Sequence, residues 1–264
     1  MSDSTRPHPR VDTYDVPGRR APLTVGTLYL SDTFRAESRH DLIVHFHGAR
    51  WLVEHQTRSE APQAVVVTVQ IGAGSRVYAD AFAGAAAFAQ LLSEASARVA
   101  ELTGKRIEWN LVRLSSFSAG YGAVRAILQH PEHYARIGVV VLADSLHASY
   151  AAEVTASRGA DLPVDETSLQ PFIRFAFDAA AGRKEMRVSH SEVFPGTFAS
   201  TTETADVLLR HLGLKRQRVL RDGPIGMQQL SEARTGNFHL EGFAGNSAPD
   251  HMDHLYALGQ LLWR

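Results

Sequence analysis

The sequence predicts an α/β protein built on a mostly parallel sheet, and three observations carry that expectation. Short runs rich in Val, Ile and Leu recur along the chain, as in Asp41–His47, Ala64–Ile71 and Ile137–Ala143. Their near-continuous apolar character suits strands covered on both faces. Stretches with helical spacing alternate with these runs, and that alternation calls for right-handed crossovers onto one three-layer α/β/α sheet. Finally, 264 residues with 44% hydrophobic and 21% charged content make one sizeable core of ordinary globular composition.

Residues 1–20, rich in Pro, Arg and Asp, read as a flexible or irregular arm, and residues 21–264 as a single domain. Leu23–Leu30 alternates apolar and small residues and reads as the first strand, followed by Asp41–His47 and Ala64–Ile71. Ala79–Thr103 is Ala-rich and amphipathic, with Gly104 as its stop signal. Residues 107–128 hold a β-branched half followed by a helical half from Tyr121 to Gln129, where Val124, Ile127 and Leu128 share a face. Ile137–Ala143 is the next strand, and residues 145–167 read as irregular, leaving room only for a small cap. Ser168–Ala181 (helix), Glu185–His190 (strand) and Ser200–Leu212 (helix) follow. Residues 213–236 read as loop, Asn237–Phe243 as the last strand and Pro249–Trp263 as a closing helix.

The totals exclude several functions. A net charge of −1 gives no basic excess for nucleic acid or an anionic membrane. The absence of cysteine removes disulfides, thiolate zinc sites and cysteine nucleophiles. No stretch approaches the roughly 20 apolar residues of a membrane span. The polar N-terminus holds no apolar signal core, and the expectation is a cytoplasmic protein.

Ser116-Phe117-Ser118-Ala119-Gly120 joins the two halves of residues 107–128. A strand turning at once into a helix, with Ser at the apex and small residues two positions either side, is a nucleophile elbow. Its neighbours must be small because strand and helix pass close together. The usual pattern is G-x-S-x-G, and here Ser116 stands at the first glycine. Ser118 is the candidate nucleophile, and the Ala119 N–H faces any oxyanion formed above it.

A serine hydroxyl needs a base, an acid to orient that base, and oxyanion donors. In parallel sheets such groups gather at the carboxyl ends of strands. His45-Phe46-His47-Gly48-Ala49-Arg50-Trp51 leaves one such end, offering Ala49 as the second N–H donor with Arg50 next in line. Asp144 ends the apolar run Ile137–Ala143, where a carboxylate must be paired or hydrogen-bonded. Glu192, one strand later, competes with it. In Pro249-Asp250-His251-Met252-Asp253-His254, His251 lies nearer the loop and is preferred as base over His254. Trp51, Tyr78, His47 and His190 are candidates for lining the substrate pocket, and His190 and Ser191 end a strand near it.

The order Ser118, Asp144, His251, together with the Ser116-to-Gly120 elbow and His47-Gly48, resembles the α/β-hydrolase superfamily, of the esterase kind. The resemblance covers nearly the whole chain. It implies an eight-stranded, mostly parallel sheet, an acyl-serine intermediate, a small-molecule acyl substrate and no cofactor. Amide and lactone hydrolysis run on the same triad and stay open. A rival reading makes His45, His47, Asp144 and His251 or His254 ligands of zinc or manganese in a metal-dependent hydrolase. It lacks a full metal motif and leaves the elbow unexplained. A non-catalytic binding protein on the same fold is the third reading.

Overall fold

The computed structural model describes residues 15–151 and 163–262. Their ten strands form one sheet: β1 (Gly18–Pro22), β2 (Thr27–Ser31), β3 (Arg39–Phe46), β4 (Val65–Val69), β5 (Glu108–Phe117), β6 (Ile137–Ala143), β7 (Glu185–His190), β8 (Gln217–Asp222), β9 (Gln228–Thr235) and β10 (Phe238–Phe243). The spatial order is β1-β2-β4-β3-β5-β6-β7-β10-β9-β8. Six central strands, β4, β3, β5, β6, β7 and β10, run parallel, and antiparallel pairs close both edges. The central strands read as predicted because Val, Ile and Leu fill both faces: all five residues of β4 are buried.

Helices α1 (Arg50–Glu60), α2 (Ser75–Ala81), α3 (Ala85–Thr103), α4 (Tyr121–Leu128), α5 (Pro131–Arg136), α6 (Gln170–Ala180), α7 (Thr201–Leu212), α8 (Ala248–Tyr256) and α9 (Leu258–Leu262) join the strands. The larger core cluster packs side chains of α3, α4, α6 and α7 on one side of the sheet. The smaller packs α1, α8 and α9 on the other, through Leu52, Val53, Leu255, Leu258 and Leu261. Among the described residues no helix is long and apolar enough to cross a membrane.

Several expectations move. The sheet starts at Gly18, so the boundary drawn after residue 20 falls inside β1; residues 1–14 lie outside the described residues. The single strand over Leu23–Leu30 is instead the second half of a hairpin, with Leu23 N–H bonded to the Gly26 carbonyl in the turn. The long helix over Ala79–Thr103 is two helices, broken at Phe82–Gly84. The closing helix is likewise interrupted at Ala257. The loop over 213–236 contains the β8–β9 hairpin, which raises the sheet from the implied eight strands to ten. Its alternation is faint because β8 is exposed at nearly every position. Helix α1 escapes sequence reading because its buried positions include Glu54 and Thr57 beside Leu52 and Val53. Glu54 is buried against Arg20 of β1, which donates to both carboxylate oxygens at 2.8–3.1 Å. Part of the stretch expected to be irregular, residues 152–162, lies outside the described residues.

Candidate active site

Register sets the site. Phe46 pairs with Ser116, Phe117 with Ala143, and Ala143 with Ser189. The strand ends are therefore level, and His47, Ser118 and Asp144, just past them, emerge along one edge with His190, the last residue of β7. Three of these four are non-glycine residues in the left-handed region: His47 at φ 69°, Ser118 at φ 48° and Asp144 at φ 43°. Each such residue costs on the order of 1–3 kcal/mol and persists only where its surroundings hold it.

At the elbow, Ser118 to Gly120 form a single 3-10 turn that runs directly into α4. Ser118 is partly exposed, while Ala119 and Gly120 are buried beneath it. A Cβ on Gly120 would strike the Phe46 carbonyl, which is the close pass of helix and strand that the motif requires. Ser116 fits where glycine is usual because its hydroxyl finds a partner. Ser145 Oγ donates to the Ser118 carbonyl at 2.8 Å, and Ser116 Oγ lies 2.8 Å from Ser145 Oγ. Ser145 has one proton and has given it to the carbonyl, so Ser116 is the donor in the second bond. This buried pair of hydroxyls ties the elbow to the corner after β6.

Asp144 is 1% exposed and accepts four hydrogen bonds. Ser191 N–H (2.9 Å) and Thr201 Oγ1 (2.5 Å) reach Oδ1; Ser191 Oγ and His251 Nδ1 (both 2.6 Å) reach Oδ2. Burial pushes the carboxyl pKa up. Attraction to His254, the bond and charge of His251 and the Ser191 hydroxyl outweigh it and hold Asp144 well below the usual carboxylate range. Thr201 comes from the first turn of α7, whose start is set by a capping box between Ser200 and Glu203.

His251 arrives on α8. A second capping box, Ser247 with Asp250, starts that helix, and His251 N–H bonds to the Ser247 carbonyl at 3.1 Å. Its ring stacks on Phe117, the residue before Ser118, with centroids 4.5 Å apart. Nδ1 donates to Asp144, and Nε2 stands on the opposite side of the ring. Among the described residues Ser118 Oγ and His251 Nε2 make no hydrogen bond, as is common before substrate tightens such contacts. His254, one turn on, is buried with Nδ1 2.8 Å from Ser189 Oγ and its ring edge-on to Phe243.

The loop after β3 is held from below. His45 is buried, with Nδ1 2.8 Å from Ser115 Oγ and Nε2 2.7 Å from the His47 carbonyl. Burial pushes its pKa down to about 4. The Gly48 N–H donates to Gln70 Oε1 at 2.7 Å, and a Cβ on Gly48 would come within 2.9 Å of Leu255 on α8. Among the described residues the N–H groups of Ala49 and Ala119 carry no hydrogen-bond partner. Arg50 opens α1 half-exposed, 3.4 Å from Glu54.

The remaining predicted residues divide. Trp51 lines an open cleft of about 700 Å³ with Arg50, Thr68 and Gln70. His47 is half-buried, its Nδ1 2.9 Å from the Tyr78 hydroxyl. Tyr78 and His190 differ from expectation: at 0% and 4% exposure they support the site from behind instead of lining an open pocket. Tyr78 donates to the Gly72 carbonyl at 3.0 Å. His190 Nε2 accepts from Arg216 at 2.6 Å, and its pKa is pushed down to about 4 by burial and the Arg216 charge. Glu192 is exposed and accepts from the Gly245 N–H, and it makes no hydrogen bond to either histidine among the described residues. Among the described residues no three His, Asp or Glu side chains converge to hold a metal ion; His45 in particular is spent on Ser115 and the His47 carbonyl. Sequence reasoning missed Ser145 and Thr201. A lone hydroxyl carries no pattern, though Ser145 adjoins the singled-out Asp144.

No protein-family model matches the sequence, and no curated protein matches it. Solved structures do. The chain is similar to LpqC, a poly(3-hydroxybutyrate) depolymerase from Bordetella parapertussis, with 15% identity and a TM-score of 0.51 over 94% of this chain and 91% of that one. A ferulic acid esterase gives 13% identity and a TM-score of 0.50 over 95% and 98%. The enterobactin esterase FES from Shigella flexneri gives 16% identity and a TM-score of 0.51 over 96% of this chain, which spans only 61% of that one. From its strand order and these neighbours, the chain has the α/β-hydrolase fold.

Proposed function

We propose that the protein is a serine hydrolase cleaving carboxylic esters of small molecules through an acyl-serine intermediate. Ser118 is the nucleophile, His251 the base and Asp144 the group that orients it. The observation carrying this reading is the 2.6 Å bond from His251 Nδ1 to a buried, fully hydrogen-bonded Asp144, one strand over from a left-handed, partly exposed Ser118. That bond fixes the tautomer in which Nε2 accepts a proton. His251 Nε2 takes the Ser118 proton as Oγ attacks the ester carbonyl, then returns it to the leaving alcohol. Water repeats the sequence to release the acid. The N–H groups of Ala49 and Ala119 stabilise the oxyanion, each worth about 10²–10³ in kcat if removed. Two of the three similar folds carry esterase names, which agree with this chemistry.

The test is turnover of p-nitrophenyl acetate and butyrate by the wild type and Ser118→Ala, with fluorophosphonate labelling alongside. The variant should lose both turnover and label while its circular dichroism is unchanged. Full activity in Ser118→Ala would rule the mechanism out.

A further inference from the structure

The corner after β6 carries a side chain that the triad does not use. His147 Nδ1 lies 3.1 Å from the Ala199 carbonyl oxygen. A carbonyl only accepts, so Nδ1 holds the ring proton and Nε2 presents a lone pair. Burial, the largest influence on this imidazole, lowers its pKa and keeps the ring neutral. Among the described residues Nε2 has no hydrogen-bond partner.

The ring is bracketed by two others, Tyr121 at 5.7 Å and Phe198 at 5.0 Å between centroids, both edge-on. Tyr121 is three residues past Ser118, and His147 is three past Asp144. Ser145, two residues before His147, donates to the Ser118 carbonyl at 2.8 Å, which places His147 beside the same corner. Phe198 is 40% exposed and Phe194, on the same connection between β7 and α7, is 67% exposed. Next to the elbow there is thus an unused acceptor set among aromatic surfaces, part of it facing solvent.

We propose that His147 Nε2 accepts a hydrogen bond from a phenolic hydroxyl on the ester substrate, with the Tyr121 and Phe198 rings packing against the aromatic group that bears it. An aromatic ring suits edge-on neighbours, and a phenol is a strong donor for a neutral imidazole. A site built to hydrogen-bond a hydroxyl discriminates against the analogue that lacks it. The substrate class rests on the esterase reading; the binding preference does not.

Two measurements keep these separate. Binding of ethyl 4-hydroxycinnamate and ethyl cinnamate to Ser118→Ala is measured by calorimetry, with and without His147→Phe and His147→Gln. Turnover of the same pair, and of ethyl 3-hydroxybutyrate and ethyl butyrate, is measured in the wild type. The hydroxylated aromatic ester should bind and turn over with an advantage of about tenfold or more. That advantage should fall to near one in His147→Phe and survive in part in His147→Gln, which keeps an acceptor. Equal binding of the aromatic pair to Ser118→Ala, an advantage untouched by His147→Phe, or a preference confined to the aliphatic pair overturns the proposal. Absent turnover with a His147-dependent binding preference overturns the esterase reading and leaves the subsite standing.

Discussion

The carboxyl edge of β3, β5 and β6 and the outlying β8–β9 hairpin make opposite use of polar groups. At the edge, three non-glycine residues sit in left-handed conformations, and Ser115, Ser116, Asp144, Ser145, Ser189 and Ser191 are all buried. Buried polar groups there are costly to leave unpaired, so each bond set constrains position tightly. The hairpin instead holds its arginines half in water, against carboxylates that are mostly covered. Arg221 pairs with Glu232, Arg234 reaches Glu232 and Glu241 at 3.3 Å, and Leu220 stands 75% exposed. A pair with its arginine half in water contributes modestly. Buried, fully paired polar groups are therefore concentrated at the edge that carries the proposed triad.

The sharpest way to break this contrast is Asp144→Asn. It keeps the shape but turns an amide N–H₂ toward one of the donors, disfavouring the His251 tautomer. We expect kcat on p-nitrophenyl esters to fall by about 10⁴. Less than tenfold would show that Asp144 does not act through His251.

Acid acts on the same edge by another route. His45 and His190 are buried with pKa values pushed down to about 4, below the 6.5 of the unfolded chain. Between those values the unfolded state binds protons that the folded state refuses. The stability is complete above pH 6.5 and lost as pH falls toward 4, by about 3 kcal/mol for each ring. Urea midpoints measured from pH 7 to pH 4.5 should fall steadily. In His190→Gln the slope should be shallower, and an unchanged slope would mean that His190 is not buried neutral.

Ser145→Ala removes the donor to the Ser118 carbonyl and strands the Ser116 hydroxyl. A loss of about 1–3 kcal/mol in stability is expected, with kcat reduced more than KM is raised, because the elbow and not the pocket is disturbed. Ser116→Gly at the same time should recover part of it by removing the stranded hydroxyl. At the far end of the scale, Arg221→Ala in the hairpin should leave kcat unaltered and move Tm by less than about 2 °C. A larger shift would make the hairpin a structural element equal to the edge.

The central strands and the tight turn at Ser118 are legible in the residues because their signals are local. Ile137–Ala143 is an unbroken apolar run, and Asp144 stands out as the charge that ends it. Ser118 is marked by small residues at fixed offsets. The β8–β9 hairpin and α1 are not legible, since one is wet on nearly every position and the other hides a buried Glu54 in its apolar face. His251 and His254 look equivalent in a helix that holds both. The Ser247–Asp250 box sets where α8 begins, and from that start His251 meets Asp144 while His254 meets Ser189. Thr201 and Ser145 join the site from positions that carry no pattern at all.

The amino-acid order alone determined the alternating elements, the apolar interior and the strained serine corner, because periodicity and small-residue spacing act between neighbours in the chain. Only the tertiary structure decided which hydroxyls hold Asp144, which histidine it contacts, and that Tyr78 and His190 are buried. Those choices depend on strand register and helix start, which bring together groups far apart in the chain, His251 and Asp144 being 107 residues apart. A hydrogen bond is decided by a few tenths of an ångström, and no local pattern encodes a distance of that kind.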